Sequence, residues 1–131
     1  MKIHHMAAYV LDVEISRAFY EKYFNTTASN LYYNPKKELK IYYLYFEDGG
    51  IFEIMSKPGV SPINVSTEHI GYTHLSLSVS TRELVDQITD RLRNDGFTIF
   101  GEPRINGAGM YESCVSDPDG NRIEIEAAIH M

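Results

Sequence analysis

Two copies of one short pattern stand 71 residues apart. Asp48-Gly49-Gly50-Ile51-Phe52-Glu53-Ile54 and Asp119-Gly120-Asn121-Arg122-Ile123-Glu124-Ile125 both read Asp-Gly-x-x-apolar-Glu-Ile. Asp-Gly is a turn signal, and the alternation after it places isoleucine on one face of a strand and glutamate on the other. A second pair of matches lies at an offset of 69: His5 and Val10 with His74 and Val79. The two-residue difference amounts to one loop. An internal repeat fixes architecture before any other signal does, so the chain reads as two copies of one small unit.

Each half reads β-α-β-β-β. In the first, residues 2–10 alternate as a strand, with Met6, Ala8 and Val10 on one face and Ile3, His5, Ala7 and Tyr9 on the other. Asp12 is placed to cap a helix of about a dozen residues, whose buried stripe is Ile15, Phe19 and Tyr23; Asn25 ends it. Strands follow at 26–33 and 39–47 around the turn Asn34-Pro35-Lys36-Lys37, and a fourth runs from Ile51 to Ser56. Tyr32, Tyr33, Tyr42, Tyr43 and Tyr45 read first as packing residues; walling a pocket for an aromatic or thioester substrate, or packing a dimer interface, are the alternatives. Residues 57–69, with Pro58-Gly59 and Pro62, form a linker.

The second half opens on a strand at 71–79, with Leu75, Leu77 and Val79 inward and His74, Ser76 and Ser78 opposite. Ser80-Thr81-Arg82-Glu83 is a capping-box pattern, and the helix after it carries Leu84, Ile88 and Leu92 before Gly96 stops it. A short strand at 97–100, a glycine-rich loop at 101–109, a strand at 110–116 and the repeated Glu124 strand complete the order. The organisation is one domain over 1–131: a module over about 1–58, a linker at 59–69 and a module over about 70–131. The class is α+β, with two tandem βαβββ modules forming an open, funnel-shaped mixed β-sheet.

Each half thus puts a histidine on its first strand and a glutamate on its fourth, on the face away from the apolar residues. His5, Glu53, His74 and Glu124 would converge if the half-sheets curve together, and converging charges need a partner. Two imidazoles and two carboxylates suit a divalent ion such as Zn, Ni, Co, Mn or Fe. His4, His69 and His130 are left outside the set: His4 has the wrong strand parity, His69 is in the linker and His130 in the tail. Glu126 has no acid counterpart in the first half, where Met55 stands, and reads as a rim residue.

Composition closes off other classes. A net charge of -6 and one interrupted basic cluster, Lys36, Lys37 and Lys40, argue against nucleic acid. No apolar run reaches membrane-spanning length and no leader precedes the first strand, so no membrane partner and a cytoplasmic location are expected. The single cysteine, Cys114, excludes an intrachain disulfide and reads as a small buried strand residue.

The stretches Ile3-His4-His5-Met6-Ala7-Ala8-Tyr9-Val10-x-Asp12, Phe52-Glu53-Ile54, Gly71-Tyr72-Thr73-His74-Leu75 and Asp117-Pro118-Asp119-Gly120-Asn121-Arg122-Ile123-Glu124-Ile125 resemble the vicinal oxygen chelate superfamily, over the whole chain. The four-ligand His-Glu-His-Glu set is similar to that of glyoxalase I (lactoylglutathione lyase); extradiol dioxygenases and fosfomycin-resistance proteins use three ligands. The resemblance implies a metal-dependent lyase or isomerase acting on a hemithioacetal or related 2-oxo/2-hydroxy carbonyl compound through a metal-bound enediolate. Glu124 is implied as the proton carrier first and Glu53 second. A small-molecule substrate and a homodimer are implied as well. A CoA-thioester epimerase, an extradiol dioxygenase and a small-molecule-binding or resistance protein of the same fold are the alternatives. The chain departs from glutathione-using members near the first ligand, where Tyr9 stands in place of a basic residue and Arg17 is the nearest arginine. Arg104 and Arg122 are expected near the mouth.

Overall fold

A computed structural model describes residues 1–62 and 68–128. The chain divides into two compact units, Met1–Ile63 and Asn64–Met131. The first contains β1 (Met6–Tyr9), α1 (Val13–Phe24), β2 (Thr27–Ala28), β3 (Tyr32–Asn34), β4 (Leu39–Tyr45) and β5 (Ile51–Ser56). The second contains β6 (His74–Ser78), α2 (Arg82–Asn94), β7 (Ile99–Ile105), β8 (Met110–Ser116) and β9 (Arg122–Ala128). This is an α+β fold of two mixed sheets. Among the described residues no helix is long and apolar enough to cross a membrane.

The first sheet runs in the order β1-β5-β4-β2, with β3 also paired to β4. β1 lies parallel to β5 and β4 antiparallel to it. The helix starts where a carboxylate can satisfy its open amides: Asp12 accepts from the backbone N–H groups of Glu14 and Ile15 at 2.8 and 3.3 Å. It ends at Asn25, whose φ of 55° is the left-handed conformation that asparagine tolerates. One sheet face, carrying Phe52, Ile54, Tyr42 and Leu44, is buried, and α1 packs there. The Tyr20 ring meets that of Phe52 edge-on at 5.3 Å.

Several boundaries differ from expectation. The strand expected over 26–33 is two short pieces. Ser29 lies between them, and its hydroxyl accepts from the Tyr43 N–H at 3.0 Å, intercepting a ladder bond. Ile15 is 58% exposed, while Val13, Ser16, Phe19, Tyr20 and Tyr23 are buried. Steps of four residues overshoot a helical turn by about 40° each, so the stripe drawn from Tyr23 back to Ile15 drifts off the core face. Of the strand tyrosines only Tyr42 is buried; Tyr32, Tyr33 and Tyr45 are 43–54% exposed, so packing within this chain does not account for those three.

The second sheet has the order β6-β9-β8-β7, again with a parallel pair, β6 with β9, beside antiparallel neighbours. Ile123, Ile125, Val115, Ser113 and Ala127 are buried on the face that α2 covers through Val85, Thr89 and Leu92. Thr81, one residue later than the expected box, is the N-cap and accepts from the Leu84 N–H at 3.2 Å. Val85, Thr89 and Leu92 are the deepest positions, while Leu84 and Ile88 of the expected stripe are part-buried. The loop expected from Gly101 is strand as far as Ile105. Register shifts on either side of Gly101 admit Gly101 and Pro103 into β7, an edge strand where proline costs no inner ladder bond. The linker is without strand or helix in its described part; residues 63–67 and His130 lie outside the described residues.

Candidate metal-binding residues

In the first unit Glu53 is the middle of β5, between Ala7 of β1 and Tyr43 of β4. It points away from α1 and is nevertheless buried, at 9% exposure. His5 directly precedes β1, two residues before the partner of Glu53, and its Nε2 lies 3.4 Å from Glu53 Oε1. On its other side His5 Nδ1 shares a hydrogen bond of 2.8 Å with His4 Nδ1. His4 is therefore a partner of the candidate ligand, which strand parity had set aside. The parity argument assumed strand geometry from residue 2, whereas β1 begins at Met6 and residues 4 and 5 are not bound by its alternation.

The second unit repeats this geometry. Glu124 on β9 stands between Ser76 of β6 and Cys114 of β8. His74 is again two residues before the partner of the glutamate, and its Nε2 is 2.8 Å from Glu124 Oε1. Its Nδ1 shares a hydrogen bond of 2.7 Å with Thr73 Oγ1. His4 and Thr73 are equivalent positions under the 69-residue offset. Each engages Nδ1 of the histidine that follows and so leaves Nε2 for the glutamate, an arrangement that fixes ring orientation.

The surroundings of the two glutamates differ. Tyr43 is opposite Glu53, and the carboxylate, as hydrogen-bond acceptor and as charge, holds the phenol above its usual range, with burial adding to the effect. The Tyr43 ring meets that of His5 edge-on at 6.4 Å. Burial pushes the Glu124 carboxyl upward, with Glu112 and Glu126 adding to it and His74 and Arg104 opposing. Burial likewise raises the Cys114 thiol despite hydrogen bonding and charge from Arg122, so the sulfur stays protonated at neutral pH and is no activated nucleophile. Glu112, 5% exposed and opposite Glu126, is compensated by Arg104 Nη2 at 3.3 Å. Arg122 stacks on the Phe100 ring at 4.3 Å. Arg17 stays on the helix side, paired with Glu14 and Glu21 and lying over the Tyr42 ring.

Tyr43, Glu112 and Thr73 escape a sequence reading because their roles depend on which residue faces which across strands. A signal for Tyr43 existed: it shares a face with Glu53 once β4 and β5 are joined at the Asp48-Gly49 turn. Glu126, read as a rim residue, is half-buried opposite Glu112. A depression of about 400 Å³ bordered by Lys40, Lys57 and Tyr33 does not include His5 or Glu53.

The donor set of each pair suits a metal. Two atoms each about 2.1 Å from one ion stand roughly 3.0–3.4 Å apart in octahedral or tetrahedral coordination; the His–Glu separations of 3.4 and 2.8 Å are within a few tenths of that span. Among the described residues no three His, Cys, Asp or Glu side chains are grouped so that they could hold one ion. The structure brings His5 to Glu53 and His74 to Glu124.

Two mixed sheets, each with a histidine–glutamate pair at its parallel strand pair, belong with a glyoxalase/dioxygenase-like fold. Residues 2–125 match the family described as the Glyoxalase/Bleomycin resistance protein/Dioxygenase superfamily, and the chain belongs to it. A possible glyoxalase from Bacillus cereus is 30% identical, with 95% of this chain and 97% of that one aligned at a TM-score of 0.68. The trypanothione-dependent glyoxalase I of Leishmania major is 20% identical over 95% and 85% of the two chains, at a TM-score of 0.74. A genomically encoded fosfomycin resistance protein, FosX, of Listeria monocytogenes is 18% identical over 98% and 94%, at a TM-score of 0.76. No curated protein matches the sequence.

Proposed function

We propose that this chain is a divalent-metal-dependent lyase or isomerase of the glyoxalase I type, acting on a hemithioacetal or related 2-oxo/2-hydroxy carbonyl compound. His5, Glu53, His74 and Glu124 would serve as the ligands, and both modules as parts of one functional domain. The observation that carries the reading is the His–Glu pair built twice at one register, with Ala7 opposite Glu53 and Ser76 opposite Glu124, each two residues past its histidine. A pair built once is an ordinary ion pair; the same pair, with an Nδ1 partner each time, is a ligand half-set.

When bound, the ion supplies Lewis acidity for negative charge that develops on neighbouring substrate oxygens. The chain's residues do the rest. His5 and His74 are oriented by His4 and Thr73. Glu124 removes a proton from one carbon and returns it to the adjacent carbon, while the hydroxyl proton passes from one substrate oxygen to its neighbour, so the isomerisation is redox-neutral and needs no redox partner. Homodimerisation belongs to the same proposal and is read by sedimentation.

The test is elemental analysis of the purified protein, with a metal-reconstituted panel of hemithioacetal isomerisation, CoA-ester epimerisation and ring cleavage. Glu124→Gln is expected to keep the fold and the ion while lowering kcat by about 100-fold or more. Wild-type turnover of the substrate in that variant would sink the base assignment; absence of any divalent ion after reconstitution would sink the metal reading. A second reading, small-molecule binding or resistance without turnover, is favoured by the half-exposed Tyr9, Tyr32 and Tyr45, which share a face with Glu53 through their pairing to Met55, Ile41 and Ile51. Tight ligand binding without turnover in any arm of the panel would select it.

A further inference from the structure

The face of the first sheet that α1 covers carries polar residues at one end. Tyr33 of β3, Lys40 of β4 and Ser56 of β5 share one rung. Alternation puts Lys40 on the face of Tyr42 and Leu44, and Ser56 on that of Ile54, away from Glu53. Tyr42, Leu44 and Ile54 are buried, whereas Lys40 and Tyr33 are exposed and Ser56 is half-buried. A phenol, an ammonium and a hydroxyl thus stand side by side across three strands. They border the depression of about 400 Å³, together with Lys57 at the exit of β5 and Glu38 of the β3–β4 hairpin. Space of that size holds a small ligand. Among the described residues neither Lys40 nor Lys57 is in an ion pair. The Lys57 ammonium lies 5.4 Å from the centroid of the Tyr9 ring, a contact that holds the charge without neutralising it.

We propose that this depression is a binding site for a small phosphate monoester, with Lys40 and Lys57 supplying the charge and the Tyr33 and Ser56 hydroxyls further hydrogen-bond donors. The site does not depend on the metal reading above. Two uncompensated ammoniums on one depression call for an anion, and the donor types narrow its class. No arginine borders the depression, so the planar fork that matches a flat carboxylate is missing. Ammoniums are point charges with rotatable donors, and joined by two hydroxyls they suit a tetrahedral group with several acceptor oxygens. Leu11 and Pro58 offer apolar contact to the carbon part of the ester. Glu38 repels a second anionic group and accepts from a ligand hydroxyl. A chain of net charge -6 also disfavours an extended polyanion, which leaves a small one.

The experiment titrates glycerol 3-phosphate, and acetate as a comparison, into the ¹⁵N-labelled full chain at constant ionic strength and follows the backbone amides by NMR. Glycerol 3-phosphate is expected to shift the amides of residues 38–40, 56 and 57 saturably, with a dissociation constant of roughly 1 mM for such an exposed site. Acetate is expected to bind about tenfold more weakly. Lys40→Met and Lys57→Met keep the aliphatic stem and remove the charge. Each should weaken glycerol 3-phosphate about five- to tenfold, and the double variant should show no saturable shift. Glu38→Gln should tighten binding about twofold by removing the repulsion. The ligand-free spectrum of each variant reports its fold. Undiminished binding in a folded double variant would overturn the site, as would a wild-type chain without saturable shifts at these residues. Acetate binding as tightly as glycerol 3-phosphate would overturn the phosphate assignment. None of these results bears on the metal reading.

Discussion

Tyr111 of β8 donates its phenolic hydrogen to Asp86 of α2 at 2.6 Å, with the Arg82 guanidinium 4.6 Å from its ring centroid. The first unit has the same clamp in other residues: Tyr42 donates to Glu14 of α1 at 2.5 Å, and Arg17 lies 5.1 Å from its ring. In each case one early turn of a helix grips one tyrosine of its sheet through a carboxylate and an arginine.

The clamp has a pH signature. Tyr111 is held above the usual phenol range by its bond to Asp86, then by burial and the Asp86 charge. The folded chain binds that proton more tightly than the unfolded chain does. The contribution is therefore full below the ordinary phenol value of about 10 and is lost as pH rises through the raised folded value. Tyr111→Phe is expected to cost about 0.5–1 kcal/mol at neutral pH, discounted for the partly exposed site. Urea titrations should show the gap between wild type and variant closing at alkaline pH.

Arg93 and Glu102 predict the acid side. Two guanidinium nitrogens meet the two carboxylate oxygens at 2.7 and 2.6 Å, and this pairing holds Glu102 below the usual carboxylate range. A depressed folded value means that the stabilisation is present above the unfolded value and lost as pH falls through the folded one. Carboxyl-carbon NMR should place the Glu102 midpoint below the ordinary glutamate value of about 4.3. Arg93→Ala should return it there.

Thr89 and Ser113 are both fully buried, and their hydroxyls are 2.7 Å apart. Thr89→Val removes one partner and strands the other, at an expected cost of about 1–3 kcal/mol. Adding Ser113→Ala removes the stranded hydroxyl. The double variant should recover part of the loss, a coupling that urea midpoints of the four proteins would reveal.

His4 and Thr73 should matter to metal binding without touching the ion. Thr73→Val keeps shape and removes the Nδ1 partner of His74; His4→Phe does the same for His5. Each is expected to weaken divalent-ion affinity about tenfold, with urea midpoints close to wild type. Unchanged affinity in both would mean that these contacts do not orient the histidines.

Much of this was legible in the sequence for a physical reason: turns and alternation are local. The Asp48-Gly49 and Asp119-Gly120 turns, the Ile51–Ser56 and Met110–Ser116 strands, and the Asp12 and Asn25 helix ends all follow from neighbours a few residues apart. The failures arise where tertiary pairing overrides local pattern. Gly101 and Pro103 enter β7 because bulges and an edge position accept them. Ile15 is exposed because the core face is set by the sheet beneath, not by the helix alone. His4 was set aside because a strand start is a matter of pairing to β5. Tyr43 and Cys114 were read as packing because cross-strand neighbours are invisible until register is known.

Glu53 follows His5 by 48 residues and Glu124 follows His74 by 50, yet both glutamates stand at the same rung relative to their histidines. Chain length between the partners therefore does not set their spacing; the direct parallel ladder does, as rungs set the gap between rails. The turns within those segments can therefore differ in length without retuning the pair. Engineering that aims at new specificity has its freedom in the intervening turns, and its one prohibition in β1·β5 and β6·β9, where a slip of a single rung would turn the carboxylate into the core.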